Sequence, residues 1–146
     1  MWWKSPTGGS GEGWSDVPNA YDDNTDTYAT GPVTGGGAWG TPIELTVDPV
    51  LCDKVRAYLF YQAWCFLASI DVYYDGAYHE IGNGLFSSGW NYYDVIPGSP
   101  GQSKVVSKIR LTFLHYIIAG QTTVYEAAFN TVMPRLMKYY KSRRAG

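Results

Sequence analysis

Two runs of alternating apolar and polar residues flank the dipeptide Asp75-Gly76. In the first run Ile70, Val72 and Tyr74 fall on one face, because successive side chains of a strand point in opposite directions. Asp-Gly accepts the backbone angles that a two-residue hairpin turn needs, so the pattern predicts a β-hairpin. This feature is typical of chains that are built from antiparallel strands.

Further strands are expected on both sides of this hairpin. They are predicted at residues 43–47 (ending at Asp48-Pro49), 54–61, 105–114 and 122–129. Turns rich in glycine, proline and aspartate separate them, and helix-forming runs of Ala, Leu, Glu and Lys are missing. The sequence therefore predicts an all-β fold, an antiparallel β-sandwich that occupies residues 14–132; the resemblance described below implies that it is of jelly-roll type.

A chain of 146 residues is long enough for one domain with its own hydrophobic core. Its two cysteines, Cys52 and Cys65, lie in apolar stretches. We expect two free, buried thiols, and the alternative is a disulfide across adjacent strands. Their spacing fits no zinc site.

Charge is divided unevenly along the chain. All thirteen acidic residues lie within residues 1–126, whereas residues 127–146 contain five basic residues and no acidic one. We interpret residues 133–146 as a basic extension, with a helix as its candidate structure, that docks on a negative surface. That surface is the protein's own body, a neighbouring subunit or, as the disfavoured alternative, a nucleic acid. The basic residues of the extension are Arg135, Lys138, Lys141, Arg143 and Arg144.

Residues 1–13 are rich in glycine, serine and proline and are expected to form a flexible N-terminal arm. Trp2 and Trp3 would pack on a neighbour or fold back on the body. The chain begins without the apolar segment of a secretory signal, and no stretch is long and apolar enough to insert in a membrane. We therefore expect synthesis in the cytosol and a final place in a virus particle.

Residues 19–28 form a segment rich in side-chain oxygens, with three aspartates and two asparagines. Carboxylate and amide oxygens bind hard cations, and they also cap tight turns. From the residues alone, both interpretations stay open.

Four segments, taken in order, carry a resemblance to a known family. They are Ala20-Tyr21-Asp22-Asp23-Asn24-Thr25-Asp26-Thr27; Trp39 with Ile43-Glu44-Leu45-Thr46-Val47; the hairpin of residues 70–81; and Ile109-Arg110-Leu111-Thr112-Phe113 with Val124-Tyr125-Glu126-Ala127. Together they resemble the discoidin family, or coagulation-factor C-type domain, among the galactose-binding-like jelly rolls. The chain departs from the family in having Asp23 in place of a glycine and in lacking its terminal cysteine pair.

The resemblance implies one structural Ca²⁺ ion. Its ligands would be Asp22, Asn24, Thr27 and Glu126, and the alternative is a hydrogen-bonded turn without metal. It also implies ligand-binding loops at one end of the sandwich and a core position for Trp39. Sugar-binding candidates in an expected aromatic loop, with one histidine, are Trp90, Asn91, Tyr92, Tyr93 and His79, and the alternative for each aromatic residue is core or interface packing.

No arrangement of residues typical of an enzyme is present, so we predict a protein without catalytic activity. Our first interpretation is a structural subunit of a larger homo- or hetero-oligomeric assembly, a phage virion protein of the head, neck or tail. It would display loops for surface or glycan contact and would dock through Trp2, Trp3 and the basic tail. The alternative is a stand-alone or accessory carbohydrate-binding module.

Overall fold

The computed structural model describes residues 2–132. Within that range the chain forms nine antiparallel strands and one short 3₁₀ helix, Val17–Tyr21. The strands are β1 (Trp2–Lys4), β2 (Gly8–Ser10), β3 (Ala29–Thr30), β4 (Ile43–Leu59), β5 (Cys65–Tyr74), β6 (Ala77–Leu85), β7 (Gly89–Asp94), β8 (Lys104–His115) and β9 (Thr123–Thr131). The prediction of an all-β antiparallel sandwich is confirmed.

Strand β4 belongs to both layers of the sandwich. Its first half pairs with β8 on one side and β2 on the other, and β5 and β6 extend this layer beyond β8. Its second half pairs with β7 and β9, and β9 also pairs with β1 and β3. One continuous strand therefore connects the two layers.

Asp48 and Pro49 do not end the strand as the sequence predicted. Strand β4 continues through them with a shift of register between Thr46 and Val50. Proline has no N–H to give to a ladder, and a bulge is one of the few places where a strand accepts it. Both residues are exposed, so here the dipeptide bends the strand.

The alternating pattern of the hairpin strands is confirmed. Ile70 and Val72 are fully buried, and the turn residues Asp75 and Gly76 have φ angles of 51° and 80°. These positive values are those of the predicted Asp-Gly hairpin turn.

The expectation of a flexible arm is wrong for the strands near the N-terminus. Strand β1 pairs with β9, with Trp2 opposite Thr131, and β2 pairs with β4, with Gly9 opposite Leu45. A Cβ atom on Gly9 would lie 2.7 Å from the Leu45 side chain. In this segment glycine permits close packing, which composition alone does not distinguish from flexibility.

The predicted helical tail and its five basic residues lie outside the described residues. Within residues 2–132 no helix is long and apolar enough to cross a membrane.

Both cysteines are free and buried, as the sequence predicted. The Sγ atom of Cys52 lies 3.1 Å from the Lys54 carbonyl oxygen, and burial raises the pKa of this thiol to about 12. Burial also raises the pKa of Cys65.

We expect the folded protein to resist thiol reagents at about pH 8, because the reactive thiolate is scarce and neither sulfur is accessible. Titration with a chromogenic disulfide reagent should detect no fast-reacting thiol in native protein and two in urea. Fast reaction of either cysteine in buffer would contradict the burial described above.

Candidate functional site

Three loops meet at one end of the sandwich, between β3 and β4, between β4 and β5, and between β8 and β9. Backbone hydrogen bonds join them: the Thr34 N–H donates to the Gly120 carbonyl over 2.9 Å, and the Tyr116 N–H to the Trp64 carbonyl over 2.8 Å. The second and third of these loops border an open cavity of about 510 Å³, here called the Trp64 pocket. Its lining includes Tyr28, Gln62, Trp64, Gly120 and Gln121.

Two polar atoms of the Trp64 pocket are shielded from solvent and have no hydrogen-bond partner within residues 2–132. They are the acceptor Oε1 of Gln62 and the donor Nε1 of Trp64. A buried polar atom without a partner costs about 1–3 kcal/mol. Each such atom in a native structure calls for an explanation, and both residues line the same cavity.

Aromatic rings and one glycine shape the same pocket. Tyr28 is 43% exposed, and its ring centre lies 5.0 Å from that of Tyr125. A Cβ atom on Gly120 would lie 2.8 Å from Cδ1 and 2.9 Å from Nε1 of Trp64, so only glycine fits beside the indole edge. The result is a cavity with two aromatic walls and an unpaired donor and acceptor.

The loop between β8 and β9 contains a strained turn next to the pocket. The Ile118 N–H donates to the Tyr116 carbonyl over 2.7 Å, and Ile117 between them has φ of 67°. This is a γ-turn with a positive central φ, which is rare and costly for a β-branched residue. Ile117 is 70% exposed, so no side-chain burial offsets the strain, and such strain is concentrated at functional loops.

The predicted aromatic loop is a strand. Trp90 to Tyr93 belong to β7 and pair with β4, where Trp90 lies opposite Tyr58. The Asn91 side chain accepts from the Ser87 N–H and donates to the Ser87 carbonyl, each over 2.9 Å, and so closes the turn before the strand. Tyr93 packs against the core, whereas Tyr92 is 54% exposed.

His79 belongs to β6 in the other layer, apart from β7. Its ring stacks on Tyr74 with 3.8 Å between ring centres, and its Nε2 lies 3.1 Å from the Tyr74 carbonyl oxygen. The structure therefore does not bring His79 together with the aromatic residues of β7.

The resemblance implied a core position for Trp39. In the structure this side chain lies at the surface and is 46% exposed. It lies before β4 begins and contacts the end of β8 through an isolated bridge to Leu114. There it borders a second cavity of about 430 Å³, whose wall contains the ion pair of Arg110 and Asp71, with 3.3 Å between Nε and Oδ2.

The structure does bring together the four residues named as calcium ligands. Asp22 accepts from the Asn24 N–H over 3.1 Å and from the Thr27 hydroxyl over 2.5 Å, and Glu126 accepts from the Asp23 N–H over 2.9 Å. Asp23 has φ of 59°, in the left-handed region that glycine or aspartate can occupy. The hydrogen-bonded turn is thus formed by the protein's own groups.

Glu126 is the buried member of this group, with 2% of its surface exposed. Burial and a hydrogen bond with the Asp22 carboxyl raise its pKa to about 8. Two carboxyl groups in contact favour either a shared proton or a bound cation. Within the described residues they form no cluster of three or more His, Cys, Asp or Glu, so any further ligands of a metal there would be neutral oxygens.

No protein-family model and no curated protein matches the chain. Solved structures do match. A family 32 carbohydrate-binding module of AlyQ, in complex with 4,5-unsaturated mannuronic acid, matches with TM-score 0.62 and 15% identity over 90% of this chain and 100% of its own. A family 32 module of Clostridium perfringens NanJ, in complex with galactose, matches with TM-score 0.60 and 9% identity over 84% and 91%.

A further Clostridium perfringens module, in complex with GlcNAc-α-1,4-galactose, matches with TM-score 0.63 and 12% identity over 88% of this chain and 94% of its own. These modules have the discoidin-like fold. The chain has the discoidin-like, galactose-binding-like jelly-roll fold. The resemblance noted in the sequence is confirmed at the level of the fold.

The jelly roll's pocket was only partly foreseeable. Trp64 is one of three aromatic residues in the short loop of residues 60–64, and that signal is visible in the sequence. Tyr28, Gln62 and Gln121 come from three separate segments that meet only in the folded protein, and no local pattern marks them.

Ile117→Asn should stabilise the jelly roll by about 1 kcal/mol, because asparagine tolerates the left-handed region far better than isoleucine. Thermal unfolding should show a rise of about 3 °C. Ile118→Asn, without a positive φ, is the matched control and should bring no rise. A lower melting temperature for the Ile117 variant would show that the turn is not strained.

Proposed function

We propose that this chain is a carbohydrate-binding module without catalytic activity, and that it holds a sugar in the Trp64 pocket. One observation carries the proposal: Gln62 and Trp64, each with a shielded polar atom that has no hydrogen-bond partner within residues 2–132, line one open cavity together with the exposed ring of Tyr28. A sugar offers hydroxyl groups that both donate and accept, and C–H faces that pack on aromatic rings. The cavity is also of the size usual for small-molecule sites.

The similar structures support this proposal. Those described above are carbohydrate-binding modules, which are non-catalytic, and their bound ligands differ: an unsaturated uronic acid, galactose and a galactose-containing disaccharide. The findings therefore favour glycans as partners of this chain and leave the particular sugar to be measured. They favour the carbohydrate-binding alternative over the virion-subunit interpretation, which no comparison supports. The virion role and localisation stay predictions.

The two histidines support a function without catalysis. His115 is 1% exposed, and burial lowers the pKa of its imidazole. His79 is held against Tyr74 by stacking. Neither imidazole borders the Trp64 pocket.

We also propose a structural Ca²⁺ ion at the turn of Asp22 and Glu126. The two touching carboxyl groups, the Asn24 amide oxygen and the Thr27 hydroxyl are hard oxygen donors of the kind that Ca²⁺ prefers. When bound, the ion would neutralise both carboxylates and join the turn to β9.

Trp64→Phe tests the sugar site, because phenylalanine keeps an aromatic ring and removes the unpaired N–H. We expect affinity for the sugar to fall about tenfold, the worth of one lost hydrogen bond to a buried group. The melting temperature should stay the same or rise. The sugar is first chosen on a glycan array that includes galactose and mannuronate, and its affinity is then measured by calorimetry.

Trp14→Phe is the matched control for this variant. Trp14 Nε1 already donates to the Thr41 carbonyl over 3.0 Å, so its loss should lower the melting temperature and leave sugar affinity unchanged. The proposal fails if wild-type protein binds no glycan on the array, or if Trp64→Phe binds as tightly as wild type.

Calcium is tested by thermal unfolding in EDTA and in excess Ca²⁺. At a hundred times its dissociation constant Ca²⁺ should add about 2.7 kcal/mol of stability, or roughly 8 °C. Glu126→Gln mimics the protonated carboxyl that a pKa of about 8 favours near neutral pH, so this variant should fold without the calcium response. Asp26→Asn, in the same turn, is the control and should keep the stabilisation by Ca²⁺. If wild-type protein has the same melting temperature in EDTA and in Ca²⁺, a stabilising ion is excluded.

A further inference from the structure

A line of aromatic side chains leaves the Trp64 pocket along the outer face of the layer that contains β7, β4, β9 and β1. Tyr28 in the pocket contacts Tyr125, with 5.0 Å between ring centres, and Tyr125 contacts Tyr58 at 5.9 Å. Tyr58 in turn meets Trp90 edge-on at 5.2 Å. The line thus crosses from β9 to β4 and on to β7.

The line continues through a cation. The Arg56 guanidinium lies 3.9 Å from the ring centre of Trp90 and 4.4 Å from that of Trp3, so it sits between two indoles. Trp3 then contacts Tyr92 at 5.9 Å. We call this chain of contacts, from Tyr28 to Tyr92, the aromatic row.

The far end of the aromatic row is a third open cavity, of about 410 Å³. Trp2, Trp3 and Tyr92 line it together with Asp53, Lys54 and Asn130, and the Asn130 amide donates to the Asp53 carboxylate over 2.8 Å. Trp2 is 58% exposed and Tyr92 is 54% exposed, so core packing does not explain why aromatic residues occupy these positions. Exposed aromatic rings beside polar groups are typical of a binding surface.

Arg56 carries a charge that no acidic side chain neutralises. Within residues 2–132 it forms no ion pair, and its Nε is shielded without a hydrogen-bond partner. The neighbouring Lys54, by contrast, pairs with Asp94 at 3.6 Å. Because a guanidinium binds carboxylates through its planar edge, an anionic ligand group is its natural partner.

We propose that the aromatic row is an extended subsite for an acidic polysaccharide of uronate residues, with Arg56 binding a carboxylate. The inference rests on the proposed function, because the row starts at Tyr28 in the Trp64 pocket. Sugar faces stack on exposed rings at both ends, and the guanidinium between them selects for charge. A single sugar fills only the pocket, whereas a chain occupies the pocket and the row.

Three soluble probes test this on the full chain by calorimetry: monomeric mannuronate, a mannuronate hexamer, and the uncharged mannose hexamer of the same linkage. The charged hexamer should bind at least about tenfold more tightly than either other probe. Its advantage over the uncharged hexamer should shrink as salt is raised, because salt screens exposed charges.

Tyr92→Ala should weaken the charged hexamer about fivefold and leave the monomer unchanged, since one exposed stacking contact is lost at the far end. Arg56→Gln should remove most of the preference for the charged hexamer over the uncharged one. Tyr73→Ala is the matched control, because Tyr73 packs on Tyr78 on the outer face of the other layer. If Arg56→Gln unfolds, Tyr92→Ala still decides the question, since that side chain is mostly exposed.

The outcomes separate the two proposals. Equal affinity for monomer and hexamer, with no effect of Tyr92→Ala, overturns the extended subsite and leaves the pocket intact. Equal affinity for the charged and uncharged hexamers overturns the choice of an acidic ligand. Hexamer binding that needs Tyr92 but is unaffected by Trp64→Phe supports the row and overturns the pocket, and no binding of any sugar overturns both.

Discussion

The jelly roll depends on one strand that is shared by two layers. Strand β4 gives Ile43, Leu45 and Val47 to the core from one layer and Val55, Ala57 and Leu59 from the other. The bulge at Asp48 and Pro49 lies within the pairing with β8, and beyond it, from Cys52 and Lys54 onward, β9 and β7 become the partners of β4. Because β7, β8 and β9 all pair with β4, this strand fixes the positions of the loops at the pocket end.

The sequence predicted those parts of the fold that local patterns encode. Alternation and the Asp75-Gly76 turn predicted the hairpin, because both depend only on neighbouring residues. The course of β4 through Pro49 was missed, since a proline can bend a strand or end it and tertiary pairing decides which. The N-terminal strands were missed for a related reason: glycine indicates permissive backbone, and the sheet edge that Gly9 packs against is distant in sequence.

The candidate sites divide in the same way. The turn at Asp22 and its contact with Glu126 follow from two recognisable motifs, so their meeting was foreseeable through the resemblance. The pocket was foreseeable only through Trp64. No local sequence pattern marks Gln62 and Gln121, which come to lie beside Trp64 only in the folded protein. The aromatic composition of Trp90 to Tyr93 indicates side chains that can stack on other rings. It does not indicate the backbone conformation, because an aromatic run fits a strand as well as a loop.

The pairing of β1 with β9 has a consequence for solubility. Without its partner, β9 would present the backbone N–H and C=O groups of Phe129 to Thr131 at a free sheet edge, and such edges recruit strands from other molecules. A cover of three residues is too short to offer a long edge of its own. Strand β1 therefore protects β9 against edge-to-edge aggregation, while the Trp3 indole rests on Arg56.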